Sequence, residues 1–151
     1  MKRELLKGRE TFHLEIPADE NNLSEVRDFI ADICLRAGFS KRETNNTKLA
    51  MDEACTNIIK HAYKYNPDGI IEIRISRQED NSIPKFVVEI FDSGISFDSS
   101  RYTAPDMTEY FKKLRHGGLG ILLMKKLMDE VEYGHMGGER NTIRLVKYLP
   151  A

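Results

Sequence analysis

Apolar and polar positions alternate along Thr11-Phe-His-Leu-Glu-Ile-Pro17, and the alternation stops at a proline, which predicts a half-buried strand. The period then changes. From about Asn22 to Ala37, Leu23, Val26, Phe29, Ile30, Ile33 and Cys34 recur at helical spacing, with Gly38 as the stop. Ser40 followed three residues later by Glu43 has the form of a capping box. It predicts a second helix from near Ser40 to about Tyr65, closed by the turn cluster Asn66-Pro-Asp-Gly69. Ile70–Ile75 alternates cleanly, and Lys85–Phe91 is more continuously apolar, as a central strand is. The polar stretch Gln78–Pro84 between them is expected to be a loose hairpin loop. From Ser93 to about Arg115 the pattern weakens over a length that is unusual for a simple connection. Leu119, Leu122, Leu123, Leu127 and Val131 then share one face of a third helix, expected to run from Leu119 to about Val131. Two last strands, near Glu132–His135 and Thr142–Leu149, flank the turn Met136-Gly-Gly138.

The order is therefore β-α-α-β-β-(loop)-α-β-β. Strands joined by short hairpins pair antiparallel, and the amphipathic helices need a sheet face to cover. The simplest arrangement is an α/β (α+β) two-layer sandwich, with helices on one face of a mixed, mostly antiparallel sheet.

Composition narrows the classes. A chain of 151 residues, 40% apolar and 31% charged, reads as a single domain spanning 1–151 with an ordinary core. The net charge of −1 gives no global field toward nucleic acid or an anionic membrane. No apolar run reaches the ~20 residues that span a bilayer, and the N-terminus lacks the apolar stretch of a signal peptide. Cys34 and Cys55 both fall inside apolar helical patterns and read as buried thiols of a reducing compartment, so the expected location is the cytoplasm. His13, His61, His116 and His135 are scattered, with no zinc-binding spacing.

Three stretches carry candidate chemistry. Glu53 and Asn57 are one helical turn apart, with His61 expected on the same line. Leu49, Ala54, Ile58 and Ala62 are expected to anchor that helix on the sheet. A carboxylate facing a cleft can act as a general base, and an amide oxygen beside it is a hard ligand suited to Mg²⁺. A solvated polar stripe is the plain alternative. Asp92 closes an apolar strand, where a charge needs partners, and Gly94 would let a flat ring approach the backbone. An Asx-type turn explains the same residues. His116-Gly-Gly-Leu-Gly120 would expose N–H groups at a helix start, suited to phosphates, or could be a plain glycine-rich loop. His-Gly-Gly also occurs in the oxyanion loop of α/β-hydrolases, but the Gly-x-Ser-x-Gly elbow is absent. The dinucleotide fingerprint fails too, since the third glycine is missing.

Taken together, the motifs resemble those of the GHKL (Bergerat-fold) ATPase superfamily, and within it the bacterial anti-sigma-factor serine/threonine protein kinases. Glu53-Ala-Cys-Thr-Asn57-Ile-Ile-Lys-His61-Ala-Tyr63 is similar to that group's N box. Phe91-Asp92-Ser-Gly94-Ile-Ser-Phe97-Asp98 is similar to its G1 box, and Gly117-Gly118-Leu119-Gly120 with the helix through Val131 to its G2 region. The resemblance implies the histidine-kinase-like ATPase fold, ATP as phosphoryl donor and Mg²⁺ as cofactor. It implies Glu53 as general base and Asn57 as the magnesium ligand. His61, Gly94 and Phe97 would border the nucleotide, and Asp92 would read the adenine amino group with Thr142 assisting. Gly117, Gly118, Leu119 and Gly120 would meet the phosphates, with His116 nearby and a lid over about 93–116. Lys112, Lys113 and Arg115 in that lid are candidate phosphate or partner contacts.

Implied partners are an anti-sigma-factor antagonist as substrate, a sigma factor and a second copy of the chain as homodimer, with no direct nucleic-acid or membrane partner. Ser96 stands where many relatives have glycine, and His116 where some kinases carry arginine. These departures leave a second reading open: a nucleotide-binding partner switch with little or no kinase activity.

Overall fold

The computed structural model describes residues 11–95, 120–136 and 140–150. Five strands form one sheet: β1 (Thr11–Pro17), β2 (Ile70–Asp80), β3 (Ile83–Asp92), β4 (Glu130–Met136) and β5 (Arg140–Tyr148), in the spatial order β1-β2-β3-β5-β4. Among the described residues three α-helices accompany them: α1 (Leu23–Arg36), α2 (Lys41–Asn57) and α3 (Gly120–Leu127).

All four pairings are antiparallel, where the sequence suggested a mixed sheet. The topology explains this. The two helices between β1 and β2 return the chain to the edge it left, so Pro17 pairs with Ile70 and Ala18 N–H donates to the Gly69 carbonyl at 2.8 Å. After β3 the chain passes to the far edge, and β5 enters between β3 and β4, separating the two strands that run the same way.

Local chemistry sets the element ends. Ser40 Oγ accepts from Glu43 N–H at 3.1 Å, and Glu43 Oε1 accepts from Ser40 N–H at 3.2 Å, completing the capping box of α2. Gly38 closes α1 with φ +89°, a backbone that side chains disfavour, and Phe39 N–H reaches back to the Cys34 carbonyl at 3.1 Å. The β2–β3 connection is tighter than the expected loose loop. Only Asn81 and Ser82 separate the strands, at φ +51° and +65°, a two-residue turn of the primed kind whose twist matches the strands. The third helix ends at Leu127, short of the expected Val131. Lys147 Nζ donates to the Leu127 carbonyl at 3.2 Å, Asp129 N–H donates to the Val146 carbonyl at 2.9 Å, and Asp129 Oδ2 accepts from Tyr148 N–H at 2.7 Å. These bonds draw the chain onto β5, so Val131 pairs with Leu145 as strand.

One sheet face carries Ile71, Ile73, Ile75, Phe86, Val88, Ile90, Ile143 and Leu145, all buried beneath the helices. Helix α2 lies between α1 and α3 on this face. It anchors through Ala50, Met51, Ala54, Cys55 and Ile58, whereas Leu49, expected among the anchors, is 48% exposed. Cys34 and Cys55 are free, buried thiols, and burial pushes both up to about 12. Among the described residues, no helix is long and apolar enough to cross a membrane.

Two outcomes follow. Gly38→Ala puts a side chain on a left-handed backbone and should cost about 1 kcal/mol, lowering Tm by roughly 2–4 °C in a differential scan. Cys34 and Cys55 should resist iodoacetamide at pH 8 in the native protein and both react in urea, read by intact mass.

Candidate nucleotide-binding site

Helix α2 sorts its polar residues by role. Asp52 is committed to the fold: both its carboxylate oxygens accept from Arg27 Nε at 3.0 Å, clamping α1 to α2. The next residue, Glu53, is half-buried and has no side-chain hydrogen bond or ion pair among the described residues, and the same holds for Asn57 one turn on. Exposed Leu49 lies one turn before Glu53 on that line. A carboxylate and an amide left unused by the fold, partly sheltered and on one line, are available to an external ligand.

His61 departs from its expected place. The helix widens to a π-turn over Ile58–Ala62, closed by Tyr63 N–H to the Ile58 carbonyl at 2.9 Å. A wider turn advances each residue through a smaller angle, so His61 lags the line through Glu53 and Asn57, and it is exposed. Such single widened turns concentrate at functional sites.

Asp92 ends β3 on the helix-covered face and is 4% exposed. Its Oδ1 accepts from Gly94 N–H at 2.9 Å and from Asn141 Nδ2 at 2.8 Å, and the Asn141 amide also donates to the Gly94 carbonyl at 3.0 Å. No hydrogen bond to Oδ2 is formed among the described residues, so one oxygen is fixed and the other is open. The Asx turn is present, as the bland alternative holds, but it uses only half of the carboxylate. A Cβ on Gly94 would come within 2.4 Å of the Ala62 carbonyl oxygen, and Ile95 N–H donates to that oxygen at 2.9 Å. The Asp92 turn and the end of the Glu53 helix therefore meet directly at Ala62.

The register settles which β5 residue accompanies Asp92. Asp92 faces Asn141, and Phe91 faces Thr142. Neighbouring residues of a strand point to opposite faces, so Asn141 holds the place beside Asp92 that the sequence reading gave to Thr142. Thr142 lies on the open face, where a Cβ on Gly134 would meet its hydroxyl at 3.2 Å.

On that open face, Arg74 and Arg140 lie 4.8 and 4.6 Å from the Phe91 ring centre, and both bind Glu72. Burial alone would raise the Glu72 carboxyl, but the hydrogen bonds from Arg140 and Arg74 outweigh it and hold the group below the usual carboxylate range. A cavity of about 410 Å³ opens beside this cluster, bordered by Tyr63, Ile70, Glu72, Phe91, Ser93 and Arg140. Asp92 also borders it, at the end of β3.

Of the other expected site residues, Gly120 is the first residue of α3, while Phe97, His116, Gly117, Gly118 and Leu119 lie outside the described residues. The expected lid is described only at Ser93–Ile95. The sequence reading missed Asn141 and the hydroxyl of Tyr63. The only available signal for Asn141 was a second amide-bearing side chain entering the last strand.

The donor set suits an adenine nucleotide with a magnesium ion. The open Asp92 oxygen fits an amino group, and the space a Cβ would fill at Gly94 leaves the turn slim. Asn57 offers one hard oxygen. Among the described residues no three His, Cys, Asp or Glu side chains converge on a metal position.

The chain matches the family of histidine kinase-like ATPase domains over residues 16–147. It is 36% identical over 150 residues to the serine-protein kinase RsbW of Staphylococcus aureus strain MSSA476, covering 95% of this chain and 91% of that protein. The same protein from strain Newman matches equally, at 36% over 150 residues. Among solved structures, the RsbU and RsbW domains of Rv1364c from Mycobacterium tuberculosis superpose with a TM-score of 0.61 at 17% identity. That likeness covers 94% of this chain but 34% of the solved one, and it speaks to the fold alone. With its strand order, its Asp92–Gly94 turn and a match running from β1 to β5, the chain belongs to the histidine kinase-like ATPase domain family.

Proposed function

We propose that the chain is an ATP-dependent serine/threonine protein kinase and anti-sigma factor, which phosphorylates a small anti-sigma-factor antagonist and sequesters a sigma factor. One observation carries the reading. Glu53 is a half-buried carboxylate with no intramolecular partner among the described residues, beside an Asp52 that the fold has fully engaged. The Staphylococcus aureus relatives named above are serine-protein kinases, which agrees with it. The protein acts in the cytoplasm as a homodimer.

In this mechanism Asp92 accepts a hydrogen bond from the exocyclic amino group of adenine through its open oxygen. Guanine has a carbonyl at the same position, so the site prefers ATP. Gly94 keeps the wall beneath the base thin. Glu53 takes the proton of the antagonist's hydroxyl as the oxygen bonds to the γ-phosphorus and the bond to the β-phosphate oxygen breaks, leaving ADP. Asn57 supplies an oxygen ligand to magnesium, which when bound neutralises phosphate charge. His61 stands at the rim, and Gly117, Gly118, Leu119 and Gly120 supply N–H groups to the phosphates. His116 and Phe97 complete the set of proposed nucleotide contacts, and Thr142, whose side chain shares the open face with Phe91, is left out of it.

Labelled ATP and a co-purified antagonist separate transfer from binding. Glu53→Gln should lower label on the partner serine or threonine by about a hundred-fold or more while nucleotide affinity stays within a few fold. Equal labelling would remove Glu53 from the mechanism, and binding without transfer in the wild type would leave a partner switch. Saturating MgATP should raise the wild-type Tm by about 5–10 °C. Asp92→Asn, which presents an amide to the base, should abolish most of that shift, and a retained shift would contradict the role of Asp92.

A further inference from the structure

We infer that Tyr63 is a positioning residue for nucleotide recognition, its hydroxyl locking the turn that carries Asp92 and Gly94 to the end of the helix that carries Glu53 and Asn57. The inference rests on the nucleotide site described above and adds to it a residue that makes no contact with the ligand.

The geometry is specific. The Tyr63 hydroxyl donates to the Ile70 carbonyl at 2.7 Å and accepts from Ser93 N–H at 2.8 Å. Pairing of β3 with β5 ends at Asp92 and Asn141, so Ser93 is the first residue beyond the ladder. The tyrosine oxygen thus continues the hydrogen bonding of β3 by one residue, immediately after the carboxylate that reads the base. It also ties in the first residue of β2.

The ring is held in place to do this. Its backbone N–H closes the π-turn onto the Ile58 carbonyl, and the widened turn sets the direction in which the side chain leaves the helix. A Cβ on Gly69 would lie 2.5 Å from Tyr63 Cδ1, so glycine at that position is what admits the ring. The next two residues, Lys64 and Tyr65, are non-glycine residues at φ +49° and +64°, and Tyr65 N–H returns to the Ile59 carbonyl at 2.8 Å. Two consecutive left-handed residues are unfavourable by themselves and persist only where the surroundings hold them. Beside the hydroxyl, the Ala62 carbonyl receives Ile95 N–H at 2.9 Å. Ala62 and Tyr63 therefore grip Ser93 and Ile95, and Gly94 is pressed between them.

Without the hydroxyl, Ser93 N–H loses its partner and the Asp92–Gly94 turn loses one of its two hydrogen-bonded ties to the π-turn that follows α2. The ring still packs on Gly69, so the folded chain is little affected. The loss falls on the aim of the Asp92 carboxylate, hence on affinity for adenine and on its preference over guanine.

The test is calorimetric titration of the full chain and of Tyr63→Phe with MgATP and MgGTP, alongside the Tm of each without nucleotide. The expected result is an ATP Kd raised about three- to ten-fold, the span of one or two lost hydrogen bonds. The ATP-over-GTP preference should shrink, and the nucleotide-free Tm should stay within about 2 °C. Hydrogen exchange at Ser93 N–H should quicken. Gly69→Ala, which displaces the ring and keeps the hydroxyl, should weaken ATP in the same direction. Unchanged affinity and preference in Tyr63→Phe would overturn the inference, as would a fall in nucleotide-free Tm alone, which is what a merely structural tyrosine gives. A wild type that binds no nucleotide fails at the baseline, overturning the site reading and the inference with it.

Discussion

A charge buried at the end of the central strand is the constraint on which the rest of the structure depends. Asp92 is 4% exposed, and an ionised carboxylate so placed is costly unless donors replace water. Gly94 N–H and the Asn141 amide both serve one of its oxygens. Meeting that demand fixes the β3–β5 register at Asp92 and Asn141 and bends the chain into a turn at Ser93–Gly94. The turn must then fit against Ala62, which only glycine at position 94 allows. That contact ties the chain just beyond α2 to the Asp92 turn, while Ala50, Met51, Ala54 and Cys55 seat the helix itself on the sheet.

The two faces of the sheet divide the work. The helix-covered face holds the apolar core and, at its end, the oxygen of Asp92 that the fold leaves unused. The open face stiffens the same strand from behind. Phe91, next to Asp92, is 1% exposed beneath the guanidinium groups of Arg74 and Arg140, and Glu72 holds both. Each cation–ring contact is worth on the order of 0.5–1 kcal/mol near a surface. Their effect at this position is to hold the strand end, so the turn beyond it starts from a fixed point. Membership of the histidine kinase-like ATPase family rests on the match over residues 16–147, and the proposed kinase reading draws on a helix whose polar groups Glu53 and Asn57 the described residues leave uncommitted.

Much of this was legible in the residues, and the exceptions have physical causes. The capping box at Ser40 and Glu43 and the stop at Gly38 are local, and local chemistry determined them. The alternation of β1 and β2 gave their buried faces directly. The two-residue turn at Asn81–Ser82 was hidden because polar residues along Gln78–Asp80 pass for loop when they pair across a hairpin. The end of α3 was misjudged because Met128–Val131 keeps a helical pattern, and only the distant Lys147 and Tyr148 backbone reveal the stop. The π-turn that displaces His61 leaves no periodic trace in five residues. Asn141 took the place expected of Thr142 because a one-residue difference in register decides the face, and register is a property of two strands together. Glu53, Asp92 and Gly94 are candidates through their occurrence together with the glycine-rich stretch at 116–120, since each alone also reads as an ordinary helix surface or turn. Phe97 and His116–Leu119 lie outside the described residues.

The most direct test of the account is a crystal structure of the chain with magnesium and a non-hydrolysable ATP analogue. It should show the adenine amino group within hydrogen-bonding distance of the Asp92 oxygen that Gly94 and Asn141 leave open, and Glu53 on the side of the γ-phosphate. A nucleotide seated instead in the open-face cavity beside Phe91 and Arg140, with Asp92 untouched, would contradict it.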